Sequence, residues 1–424
     1  MSRRLIALLI VAVSVLAACG RTASTTHPAS AGYLIFLEGG FSNSGETVKV
    51  LDSGSGSIVR ELPIGTPTAD WSRYFIVTPL TGSAQLKAID PASGRTIAQT
   101  SIASGYSLPN FGFQGPTAGL SPNGQWLVLT NPAHYAGGVL TTKFLVGSSS
   151  LTASFQTIEV KAGDFRFDAL SNDGKSLYLI QRMGDPNHYQ VRLYDVGSSF
   201  LAPQPVVDKR EPGEPMNGIR GDSVADPAGT HVYTVYAREA GPFIHALPLD
   251  QPIAWCVDLP SKTPKSLELQ FRWALAISPD GTSVYAANAA EGTVAVMTTG
   301  QPPRVVRTAP VALSHSGDPL AGLFTNAEAK GPRIGGAALS PDGRTLYSFG
   351  DRGVVAIDTT TLKVRARYLD PFMPESMRLS SDGKWLYVAE SGESKLWQID
   401  PITGAVAEID GVTNPWALLW AQPK

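Results

Sequence analysis

A four-residue turn recurs along the chain and constrains its fold more than any other feature. Its most regular copies read Ser-Pro-Asp-Gly, at 278–281 and 340–343, and related turns occur at 121–124, 171–174, 226–229 and 380–383. Proline fixes φ at the second turn position, Asp or Asn can bond its own backbone, and glycine accepts the positive φ that closes a hairpin. The copies recur at intervals of roughly 40 to 60 residues, the size of one structural repeat.

A β-rich run follows every turn. Val-Tyr-Ala-Ala at 284–287 and Leu-Tyr-Ser-Phe at 346–349 combine branched and aromatic residues, which suit a strand packed between sheets. A further strand with alternating polar and apolar residues follows several of them, as at 293–297 and 353–358. Four short antiparallel strands per unit, without an amphipathic helix between them, predict the blades of an all-β propeller.

The strand runs also predict the number of blades. The second strands of the units begin near eight positions: Tyr33, Tyr74, Trp126, Leu177, Val232, Val284, Leu346 and Leu386. The first unit starts at its second strand, whereas 414–421 resembles a first strand without a unit. Placing this C-terminal strand in the N-terminal blade closes the ring and leaves no open edge. We therefore predict one eight-bladed propeller over 32–424, with seven blades as the alternative because 302–335 is irregular.

The order of turn, strand, Val-x-Val-Ile-Asp run and Thr-Gly resembles the YVTN family of propeller repeats and its surface-layer-like and cytochrome-d1-like relatives. The resemblance covers about residues 32–421 and is strongest at 278–300 and 340–396. It implies the propeller fold. It implies little about function, because this scaffold carries adhesins, scaffolds, lactone hydrolases and quinone- or haem-dependent redox domains.

The N-terminus has the layout of an export signal. Arg3 and Arg4 precede an apolar run over 5–18 that is shorter than the roughly 20 residues of a membrane span. The run ends in Leu16-Ala17-Ala18-Cys19, which resembles the lipobox of bacterial lipoproteins. We expect a signal peptide at 1–18, lipidation and membrane anchoring at Cys19, and a flexible tether over 19–31. The alternatives are a secretory peptide with an incidental cysteine and an uncleaved anchor helix.

These features place the domain in the cell envelope, facing outside the cytoplasm in the periplasm or at the cell surface. The 34 Lys and Arg of the full chain nearly balance its 36 Asp and Glu, so no strong field would attract nucleic acid. Cys256 is the one cysteine left after the lipobox, which excludes an intramolecular disulfide. We expect it to be a buried small residue of a strand rather than a reactive thiol.

The candidate binding site is the central channel, where the innermost strands of a propeller converge. The charged residues of these strands and of the loops before them are Arg166, Asp168, Arg220, Asp222, Arg272, Arg333, Glu375 and Arg378. A set richer in arginine than in acid suits a carboxylate, a phosphate or a lactone oxygen. The alternative is that these charges pair with one another around a water-filled channel.

The sequence contains no motif for a specific catalytic activity, metal or cofactor. Its histidines occur singly, without a Cys-x-x-Cys-His or His-x-x-x-His pattern, and no Gly-x-Ser-x-Gly elbow is present. The leading hypothesis is a tethered binding module for an envelope protein, a glycan or a small ligand. One alternative is a lactonase-like hydrolase that acts on a cyclic ester at the channel mouth, and another is a quinone-dependent dehydrogenase.

Overall fold

The computed structural model describes residues 32–39, 47–109, 118–208, 210, 216–311, 335–390, 395–409, 412 and 415–424. These residues form 32 strands and one short helix, α1 (Leu267–Gln270), which precedes the sixth blade. The strands group into eight sheets, and every strand pairing within a sheet is antiparallel. The chain is thus an all-β, eight-bladed β-propeller, which confirms the predicted fold and the predicted blade number.

The first four blades lie in the N-terminal half of the chain, apart from one C-terminal strand. Blade 1 contains β1 (Tyr33–Gly39), β2 (Thr47–Asp52), β3 (Ser57–Pro63) and β32 (Pro415–Pro423). Blade 2 contains β4 (Thr66–Pro67), β5 (Tyr74–Leu80), β6 (Ser83–Ile89) and β7 (Thr96–Ala103). Blade 3 contains β8 (Trp126–Ala136), β9 (Val139–Ser148) and β10 (Gln156–Lys161). Blade 4 contains β11 (Asp164–Leu170), β12 (Ser176–Met183), β13 (Asp185–Asp195), β14 (Phe200–Leu201) and the added β15 (Met216–Asn217).

The other four blades follow one another along the chain. Blade 5 contains β16 (Ile219–Ala225), β17 (His231–Ala237), β18 (Phe243–Pro248) and β19 (Trp255–Asp258). Blade 6 contains β20 (Ala274–Ile277), β21 (Ser283–Asn288), β22 (Thr293–Thr298) and β23 (Arg304–Pro310). Blade 7 contains β24 (Gly336–Leu339), β25 (Thr345–Phe349), β26 (Val354–Asp358) and β27 (Val364–Tyr368). Blade 8 contains β28 (Pro374–Leu379), β29 (Leu386–Glu390), β30 (Leu396–Ile399) and β31 (Val406–Ile409).

The first strand of each blade faces the centre of the ring. From blade 5 onward these strands contact one another in series, from β16 through β20, β24 and β28 to β32. In blade 3 a bridge between Leu120 and Leu127 marks the position of the first strand. The innermost strands therefore form the wall of a central channel, as the sequence predicts.

The C-terminal strand closes the ring in the predicted way. Strand β32 pairs with β1, with Tyr33 opposite Pro423 and Ile35 opposite Ala421. Leu418 and Ala421 are buried in the apolar cluster that joins blade 8 to blade 1. Both termini of the folded domain are thus held in one blade, and no innermost strand of this blade is left unpaired.

The recurrent turn is stabilised within itself and against its neighbour. In the blade 6 copy, the Ser278 hydroxyl donates to the Asp280 carboxylate at 2.6 Å and accepts from the Ser283 backbone N–H at 2.9 Å. Gly281 has φ of +71°, which glycine adopts without strain. A Cβ on Gly383 would lie 2.4 Å from Pro341 of the preceding turn. The turns of successive blades therefore pack on one another, a contact that local sequence does not reveal.

The hydrophobic core lies between the blades rather than inside any one of them. The tyrosines that follow the turns, such as Tyr178, Tyr233 and Tyr387, are buried at these interfaces. Each interface is lined by alternate residues of two facing sheets, which explains the aromatic and branched composition of the second strands.

Two further sequence predictions concern the N-terminal segment and Cys256. Residues 1–31, with the predicted signal peptide, Cys19 and the tether, lie outside the described residues. Within the described part of the chain, no helix has the length and hydrophobicity to span a membrane. Cys256 lies on outer strand β19 and is half-buried against the cluster between blades 4 and 5, so it is a strand residue but less buried than expected.

Candidate ligand-binding channel

Three acidic residues of the channel wall lie at β-bulges in innermost strands. The ladder of blade 4 passes from Phe167 to Ala169 and leaves Asp168 as the extra residue, and the ladder of blade 8 likewise skips Glu375. In blade 5, Gly221 and Asp222 fall in the irregular stretch of β16. A bulge bends its strand and re-aims a side chain, and bulges are frequent beside functional sites.

Asp168 and Arg220 form a buried ion pair that joins blade 4 to blade 5. The Arg220 Nη1 lies 3.3 Å from the Asp168 Oδ1, and both side chains are largely buried. Burial raises the pKa of the Asp168 carboxyl, and the neighbouring Arg220 guanidinium opposes this rise. In this part of the channel wall the predicted charges pair with one another, so their first role is to link adjacent blades.

Asp222 links blade 5 to blade 6 and also acts across the channel. Its Oδ2 accepts a hydrogen bond from the Leu275 backbone N–H at 2.7 Å. Burial raises the pKa of the Asp222 carboxyl, whereas this hydrogen bond and the charge of Arg378 lower it. Arg378 belongs to blade 8, three blades further around the ring, so the electrostatic interaction of the two side chains spans the channel.

Arg378 differs from the paired arginines Arg220 and Arg272 of this set. Its side chain is exposed to solvent, and its Nε donates to the Leu418 carbonyl of β32 at 3.2 Å. Desolvation lowers the pKa of its guanidinium, and Asp222 opposes this shift. Solvent exposure together with desolvation is expected for a side chain that projects into a narrow, water-filled channel. Among the described residues, no carboxylate lies at ion-pair distance from it.

The remaining predicted residues occupy different environments. Arg166 is exposed on β11 and lies 3.9 Å from the Asp164 carboxylate. Arg272 is buried and its Nη2 lies 3.0 Å from the Asp351 carboxylate of blade 7. Glu375 is half-buried on β28, three residues before Arg378. Arg333 lies outside the described residues. Ligand binding by any member of the set stays a prediction.

Sequence reasoning missed two residues, Asp351 and His245, that take part in contacts between blades. Asp351 lies in the loop between the second and third strands of blade 7, yet its carboxylate reaches Arg272 of the preceding blade. His245 is one of the histidines that occur singly in the sequence; it lies on β18, and its side chain is buried between blades 4 and 5. Among the described residues, no group of three or more His, Cys, Asp or Glu side chains is arranged to hold a metal ion.

Comparisons with known proteins support the fold. No family model matches the sequence, and no curated protein matches it. Among solved structures, the chain is similar to the dihydro-heme d1 dehydrogenase NirN, with a TM-score of 0.54 and 13% identity over 91% of this chain and 74% of NirN. It is also similar to apo AztD from Citrobacter koseri, with a TM-score of 0.50 and 11% identity over 92% of this chain and 97% of AztD.

A third similar structure is the periplasmic gluconolactonase PpgL from Pseudomonas aeruginosa, with a TM-score of 0.41 and 19% identity over 82% of this chain and 98% of PpgL. At such identities the similarity concerns the fold alone. Fold and comparisons together define the class of this protein: it is a β-propeller whose blades surround a channel lined by charged side chains. One propeller scaffold can carry unrelated functions, so the class does not select one activity.

Proposed function

We propose that this chain is a YVTN-type propeller, tethered to the cell envelope through Cys19, that binds a small anionic ligand in its central channel. The observation that carries the proposal is Arg378, whose guanidinium is exposed in the channel and has no carboxylate at ion-pair distance among the described residues. The tether and the lipid anchor are supported by the lipobox-like sequence at 16–19.

The chemistry of Arg378 favours an anion. A guanidinium presents its N–H donors in a planar fork that matches the oxygens of a carboxylate or a phosphate. Desolvation in the channel strengthens such a bond, because a charge that has lost part of its hydration gains more from an ionic partner. The Leu418 carbonyl holds the Nε and leaves the two terminal nitrogens for a ligand.

Asp222 would restrict which anions bind. Its carboxyl lies across the channel from Arg378, and each group shifts the pKa of the other. A dianion placed between them would be repelled by an ionised Asp222, whereas a ligand with one anionic end and one hydroxyl end would satisfy both side chains. We therefore expect a small hydroxylated monocarboxylate to bind better than a simple dianion.

A second candidate function is hydrolysis of a cyclic ester. The observation that favours it is the carboxyl of Asp222, whose pKa is raised by burial and which acts on the same space as Arg378. A carboxyl with a raised pKa can transfer a proton, and an arginine can stabilise the oxyanion formed from a lactone carbonyl. Glu375, on the strand that carries Arg378, provides a further acid or base.

A thermal-shift screen separates the two candidates. The purified chain lacking residues 1–31 is tested with D-gluconate, inorganic phosphate, D-glucono-δ-lactone, divalent metals, quinone cofactors and envelope glycans. A ligand at about 100 times its Kd adds about 2.7 kcal/mol to the unfolding free energy, which is readily measured. Stabilisation by the carboxylate or by phosphate supports the binding module. Turnover of the lactone that is lost in Asp222→Asn supports the hydrolase. No response to any anion would contradict the proposed channel ligand.

A further inference from the structure

The interface between blades 4 and 5 contains a compact group of buried polar side chains. It consists of Asp168 and Arg220 at the channel end and of Tyr189, Tyr236 and His245 behind them. Tyr189 and Tyr236 stack at a centroid distance of 5.6 Å, and His245 meets the edge of Tyr236 at 6.1 Å. Arg220 is directly opposite Tyr236 in the strand ladder, so the five side chains are contiguous.

Every member of this group has a buried polar atom without a hydrogen-bond partner among the described residues. These atoms are the Asp168 Oδ2, the Arg220 Nε and Nη2, the Tyr189 and Tyr236 hydroxyls, and both ring nitrogens of His245. The Tyr189 and Tyr236 hydroxyls lie close enough for a mutual hydrogen bond to shift the pKa of each, although their positions do not meet strict hydrogen-bond geometry. Four of the five residues are at least nine-tenths buried: Asp168, Tyr189, Tyr236 and His245.

The presence of so many unpaired polar atoms in one buried interface favours a bound group that pairs with them. Nearly all buried polar groups in folded proteins have a partner, and each unpaired one is costly. Here the unpaired donors and acceptors of five adjacent side chains face one interface, and the surrounding residues, such as Val191 and Phe243, are apolar. The apolar side chains of this cluster offer these atoms no hydrogen bond, whereas a small molecule with both donors and acceptors can.

The five side chains together carry no net charge, which favours an uncharged ligand. Asp168 and Arg220 neutralise each other at 3.3 Å. Tyr189, Tyr236 and a neutral His245 add no net charge, and the buried surroundings disfavour an unpaired ion. A hydroxyl group donates one hydrogen bond and accepts two, so it can bridge a tyrosine hydroxyl, an imidazole nitrogen and a guanidinium.

The group also has a connection to the channel. Arg220 lies on innermost strand β16, and its side chain retains 13% exposure, whereas His245 lies two strands further out at 2%. The polar atoms thus extend from the channel wall into the blade interface. Arg220 is thus the member of the group nearest to the channel, and it is the side from which we expect a hydroxylated molecule or water to enter.

We propose that the interface of blades 4 and 5 is a binding site for uncharged hydroxyl groups, held by Arg220, Asp168, Tyr189, Tyr236 and His245. The hydroxyl comes either from internal water or from a small polyol that enters from the channel. The site is separate from Arg378, which lies in blade 8, so it does not depend on the proposed anionic ligand.

Crystal structures of the full-length chain, purified in detergent, test the site directly. One crystal is grown without polyol and one is soaked with glycerol. Ordered water bonded to Tyr236 Oη and to a ring nitrogen of His245 in both crystals supports a hydration site. Glycerol replacing this water supports the polyol as the source. The absence of ordered density between these atoms in both crystals would overturn the proposal.

Urea unfolding of Tyr236→Phe and Tyr189→Phe gives a second test that needs no crystals. If a bound hydroxyl satisfies the tyrosine, loss of its oxygen lowers the midpoint or leaves it unchanged. The control is Tyr178→Phe, because the Tyr178 hydroxyl donates to the Gln251 carbonyl at 3.0 Å in the same interface. A rise of the midpoint in both site variants, with a fall in Tyr178→Phe, would show that the atoms are dry and would refute the site.

Discussion

Acidification should destabilise this propeller through His245. Burial, with a smaller contribution from Arg220, lowers the pKa of the His245 imidazole from 6.5 to about 4. As pH falls below 6.5, His245 becomes protonated in the unfolded chain, whereas in the folded chain it stays mostly neutral down to about pH 4. The contribution of His245 to stability is therefore complete above pH 6.5 and is lost between pH 6.5 and about 4.

The size of this loss of stability follows from the shift in the pKa of His245. A difference between 6.5 and about 4 corresponds to about 3 kcal/mol once both states are protonated, at 1.36 kcal/mol per pKa unit. Between pH 7 and pH 5 the loss is about 2 kcal/mol, because the unfolded histidine is then almost fully charged and the folded one is not. Asp168 and Asp222 act in the opposite direction, since burial raises the pKa of each carboxyl.

The assay is urea unfolding of the wild type and of His245→Gln between pH 7 and pH 5. Subtracting the two curves removes the contribution of the carboxyls and leaves that of His245. We expect the wild type to lose about 2 kcal/mol more than the variant over this range. Parallel curves for the two proteins would refute a buried neutral histidine at this interface.

Three other predictions follow from the fold. Gly383→Ala should lower the unfolding free energy by about 1 to 3 kcal/mol, because its Cβ would lie 2.4 Å from a proline of the neighbouring turn. Thermal unfolding measures this loss. Gly82→Ala is the control, because Gly82 has a similar φ but nothing within 4 Å, and it should lose less stability. Asp168→Asn should lower the unfolding free energy measured in urea by about 3 to 5 kcal/mol, because it leaves Arg220 buried without its counter-charge. A loss under 1 kcal/mol would contradict the buried ion pair. Deleting β32 should abolish the cooperative transition seen by circular dichroism, because blade 1 loses its innermost strand; a shortened chain that unfolds like the wild type would contradict this ring closure.

The architecture was predictable because local chemistry determines it. Each turn depends on residues within five positions of one another, as the bonds of Ser278 to Asp280 and Ser283 show. The strand runs after the turns are equally local, so their number gave the number of blades. Ring closure could be predicted from the mismatch between a first unit that lacks its first strand and an extra strand at 414–421.

Which residues belong to the candidate site was predictable, but which of them contact one another was not. Which charges pair depends on contacts between blades, and the partner of Arg272 is Asp351, in a loop that sequence reasoning did not consider. The bulges at Asp168 and Glu375 depend on the register of two strands, which the sequence of one strand does not specify. The burial of His245 likewise depends on which face of β18 meets blade 4.

Calorimetric titration tests whether Arg378 holds an anion in the channel. The titrant is D-gluconate or inorganic phosphate, whichever stabilises the protein in the screen. The titration compares the wild type, Arg378→Gln and Arg304→Gln, an exposed arginine on outer strand β23 that loses the same charge. We expect Arg378→Gln to weaken binding by roughly tenfold to a hundredfold, since a hydrogen bond to a charged group is worth about 1.5 to 3 kcal/mol. Arg304→Gln should bind like the wild type. Unchanged affinity in Arg378→Gln would show that Arg378 does not hold the anion.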